Sequence, residues 1–271
     1  MTSRSSKFPN LKICIIGRQN VGKSTLINAI LNKNLAETGS LPGLTVKSLQ
    51  GSLIFRNFTF DIFDTAGIKA RSKTKKRLEK IGNFDSLKLI KSSQIVILVL
   101  NSEDGVRKQD LRIANYFKQK GKFGIIVLNK IDLIKNSRNF IKEFKKIFYS
   151  RYPNFQNINI LPVSALKKIN IGKILSLILE QYLLSTKKIS TNKLNNWLKK
   201  LNKSEFWLKL KKKGLNLKFI IQKNSNPPIF IFFVRNKKFL NDSSKKYLVR
   251  SLLKEFNIPG ASIRLEFRES D

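Results

Sequence analysis

The chain has no histidine and a single cysteine, Cys14, in 271 residues. Without imidazole there is no histidine acid–base catalysis and no ordinary zinc ligation. One thiol supports neither a disulfide framework nor a thiolate metal cluster. Cys14 lies in the apolar run Leu11 to Ile16 and reads as a reduced core residue. Long apolar stretches are lacking too. Ile95 to Leu100 and Pro228 to Val234 are strand-sized, well short of the roughly 20 residues that cross a bilayer. Met1 to Asn10 is polar, and no secretion-type apolar segment follows it. The expectation is a soluble protein of the cytoplasm, or of an organellar matrix or stroma, with no membrane attachment. Negative charge is scarcest of all, with 17 Asp and Glu against 54 Lys and Arg and a net charge of +37. That excess implies a polyanionic partner. From Leu184 onward there are 21 basic and 6 acidic residues, against 33 and 11 before it. Charge spread over the whole molecule suits embedding in RNA better than a single basic tail does. The abundance of Lys, Asn, Ile and Phe makes compositional drift the competing reading of this charge.

The length accommodates one large core or two smaller ones. Leu11 to Ile16 reads as a buried strand running into Gly17, and Leu26, Ile27, Ile30 and Leu31 have helical spacing after the glycine turn. Phe58 to Phe63, Ile95 to Leu100, Gly124 to Leu128 and Ile158 to Pro162 read as further strands. Helices are expected around Leu111, Ile113, Ala114 and Phe117, over Phe140 to Tyr149 and over Ile171 to Leu184. Strands alternating with helices predict an α/β domain over residues 10–184, a mainly parallel sheet with helices on both faces. After Ser185 to Thr191 the rhythm changes. Helical spacing at Leu194, Trp197, Leu198 and Leu201 is followed by strands over Leu215 to Ile221 and Ile229 to Val234. A helix through Tyr247 to Phe256 and an alternating strand at Ile263, Leu265 and Phe267 complete an α-β-β-α-β unit in residues 185–271.

Four motifs stand at predicted strand ends, where open α/β sheets bind ligands. Gly17-Arg18-Gln19-Asn20-Val21-Gly22-Lys23-Ser24, followed by Thr25, matches the phosphate-binding loop between strand and helix. N–H groups around Val21 and Gly22 would cradle phosphates, Lys23 would reach the β and γ oxygens, and the Ser24 hydroxyl would ligate magnesium. Asp64-Thr65-Ala66-Gly67 supplies an aspartate that holds magnesium through water and a Gly67 N–H facing the γ-phosphate. In Asn129-Lys130-Ile131-Asp132, the Asp132 carboxylate can accept both the N1–H and the 2-amino group of guanine. Adenine lacks that donor pair, so the motif argues for GTP and GDP. Asn129 supports the base and the phosphate loop, and the Lys130 stem covers the ring. Ser164-Ala165 falls where the Ala165 N–H meets the guanine oxygen. Thr45, in Leu41-Pro42-Gly43-Leu44-Thr45, is the candidate switch threonine that closes over magnesium and the γ-phosphate.

Together with Gln109-Asp110-Leu111-Arg112-Ile113-Ala114, Ile189-Ser190-Thr191, Asn226-Pro227-Pro228 and Ile258-Pro259-Gly260, these stretches resemble the Der (EngA) family of ribosome-biogenesis GTPases. The likeness is to its second GTPase domain plus its C-terminal KH-like domain. The resemblance implies a Ras-like P-loop fold followed by a small α+β KH-like domain. It also implies a monomer that binds rRNA in the large ribosomal subunit precursor when loaded with GTP and leaves after hydrolysis. By the same resemblance Asn20 coordinates a potassium ion beside the phosphates. Ile68 stands where Ras-like switches carry a water-positioning glutamine, so no side-chain general base is assigned. The water would be placed by backbone and cations, with Lys23, Thr45, Gly67 and Asn20 assisting catalysis and turnover slow until a partner orders the switches.

The chain also departs from the family. It has one set of GTPase motifs where the family has two, so it is a fragment or a reduced form. Val46 and Lys47 replace an Arg-Asp pair after the switch threonine, and the Gly-x-x-Gly that clamps the RNA backbone in KH domains is missing. The C-terminal module is therefore expected to contact RNA or the GTPase domain through a basic surface. Lys69, Arg71, Lys73, Lys75, Lys76 and Arg77 form a second-switch segment that is expected either to touch rRNA phosphates or to be a solvated basic loop. Two other functions compete: a GTPase of small-subunit maturation or tRNA modification, and a guanine-nucleotide-dependent ribosome-binding protein that no longer turns over.

Overall fold

The computed structural model describes residues 8–38, 49–64, 84–156, 158–225, 227–258 and 263–270. The chain separates into two compact units, Met1–Glu180 and Gln181–Asp271. Unit one contains, in order, β1 (Asn10–Ile16), α1 (Lys23–Thr38), β2 (Leu49–Phe55), β3 (Phe58–Asp64), α2 (Phe84–Ser92), β4 (Ile95–Asn101), α3 (Lys108–Gln119), β5 (Phe123–Asn129), α4 (Ser137–Arg151), β6 (Ile160–Pro162) and α5 (Gly172–Thr186). The division into units falls inside α5.

The sheet order is β2-β3-β1-β4-β5-β6. All pairs are parallel except β2 with β3. β4 and β5 are buried at every position, as central strands covered on both faces must be, and this accounts for their unbroken Val/Ile/Leu runs. On one side Cys14, Ile16, Val96, Leu98, Ile126 and Leu128 pack with Ala114 and Phe117 of α3 and Phe148 of α4. Burial pushes the Cys14 thiol up to about 12, with the nearby Asp64 charge adding to the effect. The thiol is therefore protonated and inert, as a core residue.

In unit one three elements differ from the sequence reading. The hairpin strand β2 was not expected, because Leu49–Phe55 carries Gly and Ser within a weak apolar pattern. It is joined to β3 by a two-residue turn in which Arg56 and Asn57 both take positive φ, 48 and 62, the backbone that two-residue hairpins require. The short helix α2 was likewise missed. The last strand begins at Ile160 rather than Ile158, which is buried but lies outside it.

Unit two consists of α6 (Thr191–Asn202), α7 (Glu205–Lys212), β7 (Asn216–Ser225), β8 (Pro228–Arg235), α8 (Asp242–Glu255) and β9 (Arg264–Glu269). Its sheet order is β7-β8-β9, antiparallel and then parallel. Helix α7 breaks the expected α-β-β-α-β pattern. It supplies Trp207 to a core that also contains Trp197, Leu201, Phe230, Phe232, Leu248 and Leu252. The Trp197 indole stands edge-on to Phe232 and Phe256 at 6.3 and 6.1 Å and donates to Ser251 Oγ at 3.2 Å. Edge strand β7 is held by side-chain amides of α6. Asn195 donates to Ile220 O at 2.9 Å and accepts from Ile220 N at 3.1 Å, while Asn202 donates to Leu217 O at 2.9 Å. These bonds satisfy backbone groups that no further strand pairs.

Gly124 in β5 permits the close approach of α3, since a Cβ there would lie 2.3 Å from Phe117 Cε2. Phe117 is fully buried and cannot withdraw. Gly124→Ala is expected to lower unfolding free energy by about 1–3 kcal/mol through overpacking, measured by urea denaturation of the whole chain.

Candidate nucleotide-binding site

Because β1, β3, β4, β5 and β6 run parallel, their carboxyl ends share one edge, from which the predicted motifs emerge. The loop after β1 is confined by its neighbours. A Cβ at Gly17 would stand 2.4 Å from Val99 O, so only glycine allows the loop to leave the sheet this close to β4. Asn20 takes φ 61 and Gly22 takes φ 89, left-handed residues of the kind that gather successive N–H groups into an anion-binding concavity. A Cβ at Gly22 would meet Asn129 Nδ2 at 2.4 Å. Lys23 is buried and donates from Nζ to Arg18 O at 2.6 Å, which folds its ammonium back over the loop. Ser24 and Thr25 are exposed at the start of α1.

Ser24 Oγ donates to Asp64 Oδ2 at 3.5 Å, so two hard oxygen donors, one from the start of α1 and one from the end of β3, are brought together. This pair suits magnesium, which takes few protein ligands and completes its shell with phosphate and water. Among the described residues no group of three or more His, Cys, Asp or Glu is placed to hold a metal. Asn20 is exposed at the loop rim and could present its amide oxygen to a monovalent cation. Thr45, Val46, Lys47, Thr65, Ala66, Gly67, Ile68 and the six basic side chains of 69–77 lie outside the described residues, as do Asn226 and the Pro259-Gly260 pair.

At the base end, Asn129 joins both halves of the site. Its Nδ2 donates to Val21 O at 2.9 Å and its Oδ1 accepts from Ala165 N at 3.0 Å. The Ala165 N–H, expected to face a guanine oxygen, is thus directed at Asn129 instead, and reaching a base requires sharing that bond. Lys130 adopts φ 63, a left-handed conformation that costs a non-glycine residue about 1–3 kcal/mol. It turns the chain into the 3₁₀ turn Ile131–Leu133 that carries Asp132. Asp132 is half-buried and has no hydrogen-bond or ionic partner among the described residues, leaving both carboxylate oxygens for a ligand. Ser164 is fully buried and accepts from Lys167 N at 3.0 Å, closing the loop beneath Ala165.

One cluster had no role in the sequence reading. Arg18 sends Nε to both oxygens of Asp110, at 3.2 and 3.1 Å, and Nη1 to Asp104 at 3.1 Å. Asp110 is buried, and it also accepts from Arg107 N at 3.0 Å at the start of α3. Desolvation pushes the Asp110 carboxyl up, opposed by the Arg107 N–H and the Arg18 guanidinium. Ser102, in the same segment, donates from N to Asn129 O and from Oγ to Lys130 O, both at 2.9 Å. Segment 102–110 therefore braces both the phosphate loop and the base motif. The sequence signal was the Gln109-Asp110 pair together with an arginine inside the glycine loop, but neither reveals a partner about 90 positions away.

Residues 12–130 match the family model described as 50S ribosome-binding GTPase, and residues 188–268 match the KH-domain-like C-terminal domain of EngA bacterial GTPase enzymes. The chain is 36% identical over 258 residues to GTPase Der of Rickettsia africae (strain ESF-5), covering 94% of this chain and 58% of that protein. It is 36% identical over 261 residues to GTPase Der of Rickettsia prowazekii (strain Madrid E), covering 95% and 58%. The chain thus spans 58% of the length of these curated relatives. A solved structure of Aquifex aeolicus Era bound to GDP.AlF4- shares the fold with a TM-score of 0.50 at 19% identity, covering 97% of this chain and 93% of that one. Among the described residues no helix is long and apolar enough to cross a membrane.

Removing the buried Asp110 carboxylate from Arg18, which then keeps only the partly exposed Asp104, should be costly. Asp110→Ala is expected to lose about 3–5 kcal/mol of unfolding free energy, and the double variant Arg18→Met, Asp110→Leu should recover part of it. A double variant as unstable as the single one in urea titrations would show that the ion pair is not the source.

Proposed function

From the premise that this chain belongs to the Der (EngA) family of GTPases, we propose that it binds guanine nucleotides and hydrolyses GTP. In this reading it works as a monomer, as an assembly factor that holds the rRNA of the large ribosomal subunit precursor in its GTP state. The observation that carries the nucleotide assignment is Asp132, a carboxylate without a partner among the described residues, set across from a phosphate loop to which it is tied through Asn129. Two free acceptor oxygens at that point match the paired N1–H and 2-amino donors of guanine. The basic excess and the family's C-terminal module support the RNA partner.

The chain's own residues account for positioning. Lys23, steered by Arg18 O, places its ammonium against the terminal phosphate oxygens, and the left-handed turns at Asn20 and Gly22 let the loop N–H groups and the start of α1 hold the anion. Ser24 and Asp64 would hold magnesium, with Thr45 as the switch ligand, and Asn20 would hold potassium, and the positive charge so supplied would favour phosphoryl transfer. No imidazole exists to act as base, so the attacking water depends on backbone groups and is slow to react until a partner orders the switches. The reading without turnover rests on Val46 and Lys47 in the first switch. Single-turnover phosphate release with and without potassium and ribosomal subunits decides between the two, and no release above background in any condition selects that reading.

Two outcomes are expected. Replacing one carboxylate oxygen with an amide, Asp132→Asn, should weaken GTP binding by about a hundredfold or more through loss of a charged hydrogen-bond pair. It should favour xanthosine triphosphate, whose 2-keto oxygen accepts from the new amide; titration with both nucleotides checks this. In cosedimentation with separated ribosomal subunits, the chain should pellet with the large subunit more strongly under GTP analogue than under GDP. Equal pelleting with either nucleotide, or preference for the small subunit, would refute the assembly role.

A further inference from the structure

We infer that the sheet face of unit two opposite its helices is a stacking platform for unpaired RNA bases, with Phe219 and Phe233 as the stacking surface and Arg268 beside them. This rests on the reading that the protein works on rRNA and assigns part of that contact to a specific face.

The face is defined by register. Leu217, Ile220, Phe230, Phe232 and Val234 belong to the helix-side core, so the alternate residues point away from it. A register shift between Leu217 and Phe219 turns Phe219 and Ile221 to the second face. Phe219 pairs with Phe233, and Phe233 pairs with Arg268, which gives a row of two aromatic rings and a guanidinium across three strands. The next row is Ile221, Ile231 and Glu266, in which Ile231 is buried, so the open part of the face is the row of Phe219, Phe233 and Arg268. The two rings lie 6.0 Å apart, tilted by 51°, and Phe219 is 42% exposed. An open phenylalanine on a sheet costs solvation and gives the unit's core nothing, so it points to a ligand with a flat, apolar surface.

Charge identifies that ligand. Arg264 and Arg268 are exposed on β9, and Lys218 is exposed at the β7 bulge. The acidic group of this face, Glu266, is already paired with Lys223 at 3.3 Å. Arg268 has no hydrogen-bond or ionic partner among the described residues. A surface that combines an exposed aromatic ring and a partly buried one beside it with an unpaired guanidinium, and whose carboxylate is already paired, complements a partner that is planar and apolar in its bases and anionic in its backbone. Single-stranded RNA is such a partner, whereas duplex RNA keeps its bases stacked on each other and offers only phosphate.

The test uses the full chain, a short single-stranded RNA and a blunt duplex of equal length. Phe219→Leu keeps the apolar volume but removes the ring. It should weaken single-strand binding about tenfold, the effect of one lost stack, while leaving duplex binding and the salt dependence unchanged. Arg268→Gln should instead lower the slope of log affinity against log salt by about 1. In Phe219→Trp, the new indole should be quenched by the single strand and not by the duplex. Unchanged single-strand affinity in Phe219→Leu, or equal losses for both RNAs, overturns the platform and leaves the rRNA reading standing. If the wild-type chain binds neither RNA, both fall. If Phe219→Leu loses only its association with ribosomal particles and none with free RNA, the face meets a ribosomal protein and the platform is overturned.

Discussion

The nucleotide site depends on one side-chain amide. Asn129 sits at the end of a fully buried strand and holds Val21 with one end and Ala165 with the other. Because it is buried, each bond forms in a low dielectric, where leaving either partner unsatisfied costs more than at the surface. The phosphate loop can approach this amide only because residue 22 has no Cβ. Glycine here therefore serves two purposes, a left-handed turn and a close contact, and the distance between phosphate and base subsites follows from both.

A second layer of constraint comes from the segment after β4. Arg18, Asp104 and Asp110 form a charged cluster with little solvent access, in which desolvation works against the carboxylate and the guanidinium works for it. Such a cluster is retained for geometry more than for net stability. It fixes the residue whose carbonyl receives Lys23, while Ser102 fixes the backbone of Asn129 and Lys130. A disturbance at the start of α3 would thus reach both ends of the nucleotide through direct hydrogen bonds.

Unit two follows a different economy. Its core is built from tryptophans and phenylalanines on one side of a three-stranded sheet, and side-chain amides of α6 close the β7 edge. The opposite face carries the row of Phe219, Phe233 and Arg268, of which Phe219 and Arg268 are exposed. A net charge of +37 attracts polyanions over long range, but that attraction does not distinguish paired from unpaired RNA. Exposed rings at defined register positions can make that distinction, since stacking requires a free base.

The division into an α/β part and an α+β part, the central strands and the polar motifs at their ends could all be read from the chain before folding. Each rests on short-range physics: continuous apolar runs for doubly covered strands, glycine where φ must be positive, and Asp132 and Lys23 at fixed offsets from those turns. The hairpin strand β2 was not legible because Gly51 and Ser52 interrupt its apolar pattern, and helices α2 and α7 were not because, at nine and eight residues, they are too short to stand without the tertiary packing that fixes them. The Arg18–Asp110 clamp, the redirected Ala165 N–H and the row of Phe219, Phe233 and Arg268 were equally hidden. Each joins residues far apart in the chain, and a one-residue register shift would place Phe219 on the opposite face. The sequence by itself determined which chemical groups stand at the ends of which strands; only the tertiary structure decided which distant groups meet, because burial and register are properties of the assembled sheet and of no single segment.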